Sequence, residues 1–323
     1  MFDRNQTDAT NMVDAKTDIV WQRTLKSPVS CTSVGVHSGE NITINLKPAA
    51  VDTGVVFIRT DVEGDGVVPA RWDRVVDTRM CSVIANEQGA SIGTIEHLMA
   101  ALAGCGLDNV EIDIDGGEVP IMDGSSEPFV ALIKQVGVVE QDAPRRVIKV
   151  LKTIEVECAG GSVSLEPSDM QVIDFEIDFD SKAINHQAVQ TQVINGAFCK
   201  ELAKARTFGF LHEVEALRSA GLAKGGSLDN AIVVDKDRIL NEGGLRFDDE
   251  FVRHKALDAI GDLFLAGAPV IGRFKGVCSG HAANNQLLHA LFADDDAWCW
   301  DVLAGDAVRH AVDGDISATH AAD

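Results

Sequence analysis

The chain has 323 residues, 46% of them hydrophobic, enough for two ordinary domains or one large one with a real core. Its net charge of −22 argues against nucleic acid and anionic membrane surfaces as partners, so an anionic ligand would need a local cluster of Arg and Lys. The seven cysteines include no Cys-x-x-Cys pair, which argues against a disulfide framework and against a thiolate zinc site. Apolar runs such as residues 259–268 are too short or too interrupted to span a bilayer. The polar first sixteen residues lack the apolar stretch of a secretory signal, and the expected compartment is the cytoplasm.

Residues 1–18 are poor in large apolar groups and are expected to be a disordered extension. Ile42, Ile44 and Leu46 alternate through 40–47, which predicts a strand. A helix is expected over 94–103, closed by Gly104, then a strand over 109–113 and a short helix over 127–135. Gln141–Pro144 is the best linker candidate, dividing a first domain (19–142) from a second (143–302). Strands follow at 147–156, 162–165 and 173–179, the last alternating through Phe175, Ile177 and Phe179. Helices are expected at 197–205 and 213–220, the second stopped by Gly221, then a strand at 231–234. A long helix at 249–265, a strand at 270–277 and a helix at 281–292 complete the second half. The Ala- and Asp-rich tail, 303–323, carries His310 and His320, which read as surface residues without partner spacing. Helix 96–104 can be laid over 253–261 with His97 on His254 and Gly104 on Gly261, which hints at a duplicated fold.

The long helix is the most informative stretch. His254 and Asp258 are four residues apart, so both side chains stack on one face. Imidazole and carboxylate together suit a divalent metal such as zinc. Asp262 extends the row, and at about 100° per residue the three span an arc of roughly 80°. Phe251 and Leu265 share that arc, which points to a partly buried site. A catalytic zinc generally takes three protein ligands and keeps an open position. His97 is the leading third candidate, because it sits in the first turn of its helix directly after Glu96, which could accept a proton from an activated water. Glu96 could equally serve only to favour the helix dipole. His281 follows Ser279-Gly280 at a strand-to-helix junction, where loops aim side chains into active sites. It could protonate a leaving amine or stabilise an oxyanion, or simply bond locally at its helix start. Asp262 could hold it charged by pairing with it.

Five motifs occur in order: Thr94-Ile95-Glu96-His97-Leu98, Met122-Asp123-Gly124-Ser125, Ala205-Arg206-Thr207-Phe208-Gly209-Phe210, His254-Lys255-x-x-Asp258-x-x-x-Asp262, and Ser279-Gly280-His281-Ala282-x-Asn284-Asn285. Over about residues 21–300 the chain resembles the UDP-3-O-acyl-N-acetylglucosamine deacetylase family, zinc enzymes at the committed step of lipid A synthesis in Gram-negative bacteria. The resemblance implies an α+β fold of two similar domains, each a sheet packed with helices, layered as a sandwich with the active site between them. It implies one Zn2+ per chain on His97, His254 and Asp258, with Glu96 as general base. His281 would be the acid or cationic stabiliser with Asp262 beside it, and Thr207 would polarise the acetyl carbonyl. Lys255 would contact substrate and Phe208 would lie near the hexosamine. The segment 209–235 would form an apolar passage for the 3-O-acyl chain, with Leu211, Leu217, Leu222, Ala223 and Ile232 as wall candidates. The implied partner is a small-molecule UDP-sugar, without nucleic acid or an integral membrane segment, for a monomeric cytoplasmic enzyme.

The chain departs from that pattern in residues 1–20, in the acidic tail, and at Arg79-Met80-Cys81, where apolar residues are expected along the acyl entrance. Two other readings remain open on the residues alone. A zinc amidohydrolase for a different N-acylated substrate would differ in segment 209–235. A metal-stabilised binding protein would leave Glu96 and His281 idle.

Overall fold

The computed structural model describes residues 19–193 and 196–303. The expected extension, 1–18, and positions 304–323, with His310 and His320, lie outside the described residues.

The fold is α+β and built twice. In the first half a five-stranded sheet runs in the order Val29–Val34, Asn41–Pro48, Val110–Ile114, Val55–Arg59, Val67–Pro69. Its one parallel pair joins Val55–Arg59 to Val110–Ile114. In the second half the strands Ile154–Cys158, Gly161–Glu166, Val270–Val277, Gln171–Asp178 and His186–Gln192 neighbour one another in the same sequence-to-space order, with the parallel pair in the same place. Arg146–Val150 and Trp298–Val302 extend this second sheet. The central strand of each sheet is preceded by a helix: α1 (Glu96–Gly104) in the first half and the longer α5 (Glu250–Phe264) in the second. Each is followed by another, α2 (Glu127–Val136) and α6 (His281–Phe292). The intervening helices are the short α3 (Ala197–Glu201) and α4 (Leu211–Ser219). The duplication suggested by aligning His97 with His254 is therefore present in the strand topology as well.

The two halves share one continuous core, in which α1 lies along α5. Neither helix is a surface helix with one apolar stripe: Leu98, Met99, Ala100, Ala101 and Leu102 of α1 are all fully buried, as are Val252, Ala256, Leu257 and Ala259 of α5. A helix buried on all sides must sit between two layers of other structure. The close approach is set by Gly261, where a Cβ would fall 2.1 Å from the backbone oxygen of Glu96. At that separation any side chain would have to push the two backbones apart.

Several expected boundaries differ. Residues 147–156 form two strands, Arg146–Val150 and Ile154–Cys158. The register of Ile148, Val150, Ile154 and Val156 is interrupted only at Lys152; there the strand breaks, the first part pairing with Trp298–Val302 and Val270–Val277 and the second turning to the sheet edge. Gln141–Pro144 ends the strand Val138–Pro144, which pairs antiparallel with Trp21–Leu25. Its polar side chains bond across the structure: Gln141 donates to the Ala49 carbonyl and accepts from Asn109. The helix expected over 197–205 ends at Glu201, because the amides of Leu202 and Ala203 both return to the Phe198 carbonyl and close a tight turn. Leu303, assigned to the tail, is buried and bonded to Arg145 and Val20. No helix among the described residues is long and apolar enough to cross a membrane.

Gly261→Ala is expected to destabilise the protein by about 1–3 kcal/mol, as overpacking of a close-packed contact does, and to lower metal affinity in parallel, because Asp258 and His97 separate. Chemical denaturation and metal titration of the variant measure both; a variant of wild-type stability and affinity would show that the helix contact does not set the site.

Candidate metal centre and active site

The N-terminal turn of α1 and the middle of α5 bring three ligating groups together. His97, His254 and Asp258 are all buried, and one ligating atom from each lies within 4.8 Å of the others. Asp258 Oδ1 is 3.3 Å from His254 Nε2 and 3.5 Å from His97 Nε2. The two imidazole rings meet edge-on with centroids 4.9 Å apart. His254 Nδ1 lies 3.0 Å from the Ala205 carbonyl, which can only accept, so this nitrogen carries the proton and Nε2 presents a lone pair. Burial drives the His254 pKa down to about 4, against the pull of Asp258, and keeps the ring neutral.

These residues fit a zinc ion. Asp258 Oδ1 is buried without a hydrogen-bond partner, which would be costly for an ionised oxygen. Burial raises the Asp258 pKa, but His254 and Lys255 outweigh it and hold the carboxyl well below the usual range. Two ligands at about 2.0–2.1 Å on a tetrahedral ion stand roughly 3.3–3.4 Å apart, close to the separations seen here. A set of two histidines and one carboxylate is characteristic of catalytic zinc sites, which keep a fourth position open.

Beside the triple stands an acid–base pair. His281, the first residue of α6, has Nδ1 2.8 Å from Asp262 Oδ2 and Nε2 3.9 Å from Glu96 Oε1. Burial pushes the His281 pKa down, but Asp262 and then Glu96 outweigh it and lift it to about 9. Burial raises the Glu96 pKa, although His281 and His97 oppose it. The site thus places a protonated imidazole next to a carboxylate poised to accept a proton.

Two residues to which the sequence reading gave no role complete this pair. Ser82 donates its hydroxyl to Asp262 Oδ1 at 2.6 Å and its amide to Glu96 Oε2 at 3.1 Å. Asn284 donates to Asp262 Oδ2 at 2.9 Å. Asn284 was legible as one helical turn beyond His281 within a motif. Ser82 had no local signal; only the small sheet of Val75–Asp77, Val83–Ala85 and Ser91–Ile92 carries it to α5.

The remaining candidates are distributed as follows. Phe208 packs edge-on to Phe251 at 4.9 Å, with its ring 6.3 Å from that of His254. Thr207 is held through its backbone, donating to the Gly124 carbonyl and accepting from the Ile232 amide, two residues beyond the Ala205 carbonyl that orients His254. Lys255 Nζ bonds Asp258 Oδ2 at 3.0 Å. The expected positive patch is not open: Arg206 pairs with Glu250, Arg246 with Asp123 and Arg253 with Asp249. A cavity of about 520 Å³ is lined by His37, Met80, Cys81, Thr94, Glu118 and Leu222 among others. Leu222 is the only one of the five wall candidates on it, and Ile232 is fully buried. Arg79 also lines this cavity, with its guanidinium clamped on Asp77 at 2.6 Å.

A buried His-His-Asp triple that could hold a metal, beside a carboxylate and a charged imidazole and set between two copies of one unit, is an arrangement suited to hydrolysis. The family model described as UDP-3-O-acyl N-acetylglycosamine deacetylase matches residues 22–293. The chain is 52% identical over 280 residues to a UDP-3-O-acyl-N-acetylglucosamine deacetylase of Phenylobacterium zucineum, covering 86% of this chain and 96% of that one. Proteins of the same name from Acidithiobacillus ferrooxidans (51% over 282 residues, 87% and 92% covered) and Vibrio parahaemolyticus (48% over 284 residues, 87% and 93%) are also similar to it. The chain belongs to the UDP-3-O-acyl-N-acetylglucosamine deacetylase family.

In metal-free protein, His281 is expected to titrate by NMR with a midpoint near pH 9, above its ordinary 6.5. A folded pKa raised in this way means that the His281–Asp262 pair stabilises the protein fully below about pH 6.5 and that this contribution is lost as pH rises through about 9. Asp262→Asn should lower the midpoint, because only Glu96 and Asp258 are then left to oppose burial; an unchanged midpoint would remove Asp262 as the main cause.

Proposed function

We propose that this chain hydrolyses the N-acetyl group of UDP-3-O-acyl-N-acetylglucosamine, giving UDP-3-O-acyl-glucosamine and acetate, the committed step of lipid A biosynthesis. One Zn2+ per chain would be held by His97, His254 and Asp258. The observation that supports this most directly is the unpartnered Asp258 oxygen facing two imidazole nitrogens, next to the Glu96–His281 pair. Bound there, zinc would polarise the acetyl carbonyl and lower the pKa of water toward roughly 7.

Glu96 takes the proton of the attacking water. Its raised pKa makes it a stronger base than an ordinary surface carboxylate, and the Ser82 amide fixes one oxygen so that the other faces the reacting atoms. His281 enters protonated. Asp262 holds its Nδ1, so the Nε2 proton points toward Glu96 and the substrate, where it stabilises the developing oxyanion and is then delivered to the departing amine. Thr207 polarises the acetyl carbonyl, Phe208 packs near the hexosamine, and Lys255 contacts the substrate. The 3-O-acyl chain uses segment 209–235. We assign the chain to two domains divided near residues 142 and 143, acting as a cytoplasmic monomer on a small-molecule substrate.

Glu96→Ala is expected to lower kcat by about 10²–10⁴-fold while zinc content, measured by plasma mass spectrometry, stays stoichiometric. Loss of zinc from that variant would overturn its assignment as base. His281→Ala should reduce kcat on a similar scale with metal retained, and Asp258→Ala should lose metal. Comparing deacetylation of substrates with and without the 3-O-acyl chain separates this reading from a general N-acyl amidase, for which the two would react alike.

A further inference from the structure

We infer that Ser82 is a positioning residue that holds the base Glu96 and the acid His281 apart, so that the two cannot close on each other and the substrate amide and its attacking water can enter between them. This rests on the deacetylase reading, in which those two residues move the protons. Glu96 and His281 come from opposite halves of the chain, and their side chains are only 5% and 11% exposed. Glu96 Oε1 and His281 Nε2 stand 3.9 Å apart, beyond hydrogen-bond reach. Opposite charges in a poorly solvated interior attract strongly, and a charge-assisted bond would close at about 2.7–2.9 Å. Closed in that way, the carboxylate would be occupied by the imidazolium proton and could not take one from water. The gap therefore needs a support.

Ser82 supplies it from both sides. Its amide donates to Glu96 Oε2 at 3.1 Å and its hydroxyl to Asp262 Oδ1 at 2.6 Å, while Asp262 Oδ2 accepts from His281 Nδ1 at 2.8 Å. Among the described residues the Ser82 amide is the one hydrogen-bond donor to the Glu96 carboxylate. Ser82 thus grips Glu96 directly, and His281 through Asp262, by the atoms that do not react, and leaves Oε1 and Nε2 facing the gap. Because both donors belong to one residue, its covalent geometry fixes the spacing of the two carboxylates. The hydroxyl has to donate, since ionised Asp262 can only accept. Alanine would keep the amide and lose that link.

The local fold makes Ser82 a firm support. It is buried and directly precedes the strand Val83–Ala85. That strand pairs with Ser91–Ile92, Ile84 opposite Ile92, and both isoleucines are fully buried. Ser91–Ile92 leads through Gly93, Thr94 and Ile95 into α1 at Glu96. The register that sets Ile84 against Ile92 therefore also brings the Ser82 amide to Glu96. Asp262 reaches the same point from α5 of the other half, where Asn284 holds its second oxygen at 2.9 Å. A sheet of one half and a helix of the other thus meet at one serine that touches both sides of the acid–base pair.

The test uses zinc-loaded full-length protein. Ser82→Ala is expected to lower kcat for UDP-3-O-acyl-N-acetylglucosamine by about 10–100-fold, the scale on which a misplacement of about 1 Å acts. KM should stay within about twofold of wild type, with zinc content stoichiometric and the protein folded. Ser82→Thr, which keeps the hydroxyl, should restore most of the rate. NMR of protein carrying isotope-labelled histidine reads the spacing without turnover. The His281 Nε2 proton should move downfield in Ser82→Ala, as it engages Glu96, and keep its wild-type position in Ser82→Thr. A role confined to stability would not move that proton, and where threonine does not fit, the Ser82→Ala resonance decides alone. The spacer role is overturned if Ser82→Ala keeps wild-type kcat, if its rate falls only with loss of zinc or of the fold, or if the Nε2 resonance does not move. Should the wild-type protein release no acetate, the deacetylase reading fails, while the NMR comparison still decides whether Ser82 spaces the pair.

Discussion

The constraint on which the site depends is the contact of α5 with the backbone of α1 at Gly261. Metal ligands must converge within a few ångströms, and the group that could hold a metal here, His97, His254 and Asp258, comes from two helices far apart in the chain. With Gly261 seated on the Glu96 carbonyl, Asp258, three residues earlier on α5, comes level with the first turn of α1, where Glu96 and His97 lie. Every other feature of the site follows from that seat. His254 is one turn further back on α5, and Asp262 is one residue beyond the glycine, facing α6. The base and one ligand are adjacent in sequence because one helix end can present both only in its first turn.

α5 then uses one carboxylate twice with opposite outcomes. Asp258 and Asp262 are both buried on the same face of one helix, but their surroundings differ. Asp262 is saturated by Ser82, Asn284 and His281, which leaves it no capacity for an additional ligand and makes it a fixed negative charge that keeps His281 protonated. Asp258 accepts only from Lys255 through Oδ2 and keeps Oδ1 free. The number of donors around each carboxylate, not its identity, separates a metal ligand from an electrostatic support.

Much of this was legible in the sequence, because helical spacing carries it. The stacking of His254, Asp258 and Asp262, the start of α6 at His281 and the start of α1 beside Glu96–His97 all follow from local periodicity and glycine stops. What was not legible depends on pairings distant in sequence. Ser82 sits in a small sheet with short strands, and nothing near it signals that its hydroxyl ends on α5. The break between Arg146–Val150 and Ile154–Cys158 is marked only by Lys152 and Thr153, too short an interruption to show that the two strands take different partners. Gln141–Pro144 reads as a linker from its polarity, yet the Gln141 side chain bonds to the Ala49 carbonyl and to buried Asn109. The ion pairs of two arginines were likewise not legible, because Arg206 meets Glu250 and Arg246 meets Asp123, partners distant in sequence.

The duplication explains why the site has to lie between the halves. Each half provides the same unit, a sheet whose central strand follows a buried helix. The glycine at matching positions, Gly104 and Gly261, does different work in each copy: Gly104 admits the ring of Phe198, while Gly261 admits the backbone of its counterpart helix. Both uses join the copies, since Phe198 belongs to the second half, but only the second brings the two buried helices backbone to backbone. A single unit could supply a histidine at the start of its helix, but a buried helix packed on its own sheet has no room for a second ligating segment. Two such helices packed against each other bury the polar first turn of α1 and the polar middle of α5 jointly, and that shared interior can hold two histidines and several carboxylates only if their charges are matched. Lys255 and His281 supply part of that match, and a cation on His97, His254 and Asp258, as proposed, would supply the rest, so the place for hydrolytic chemistry lies where the two copies are buried together.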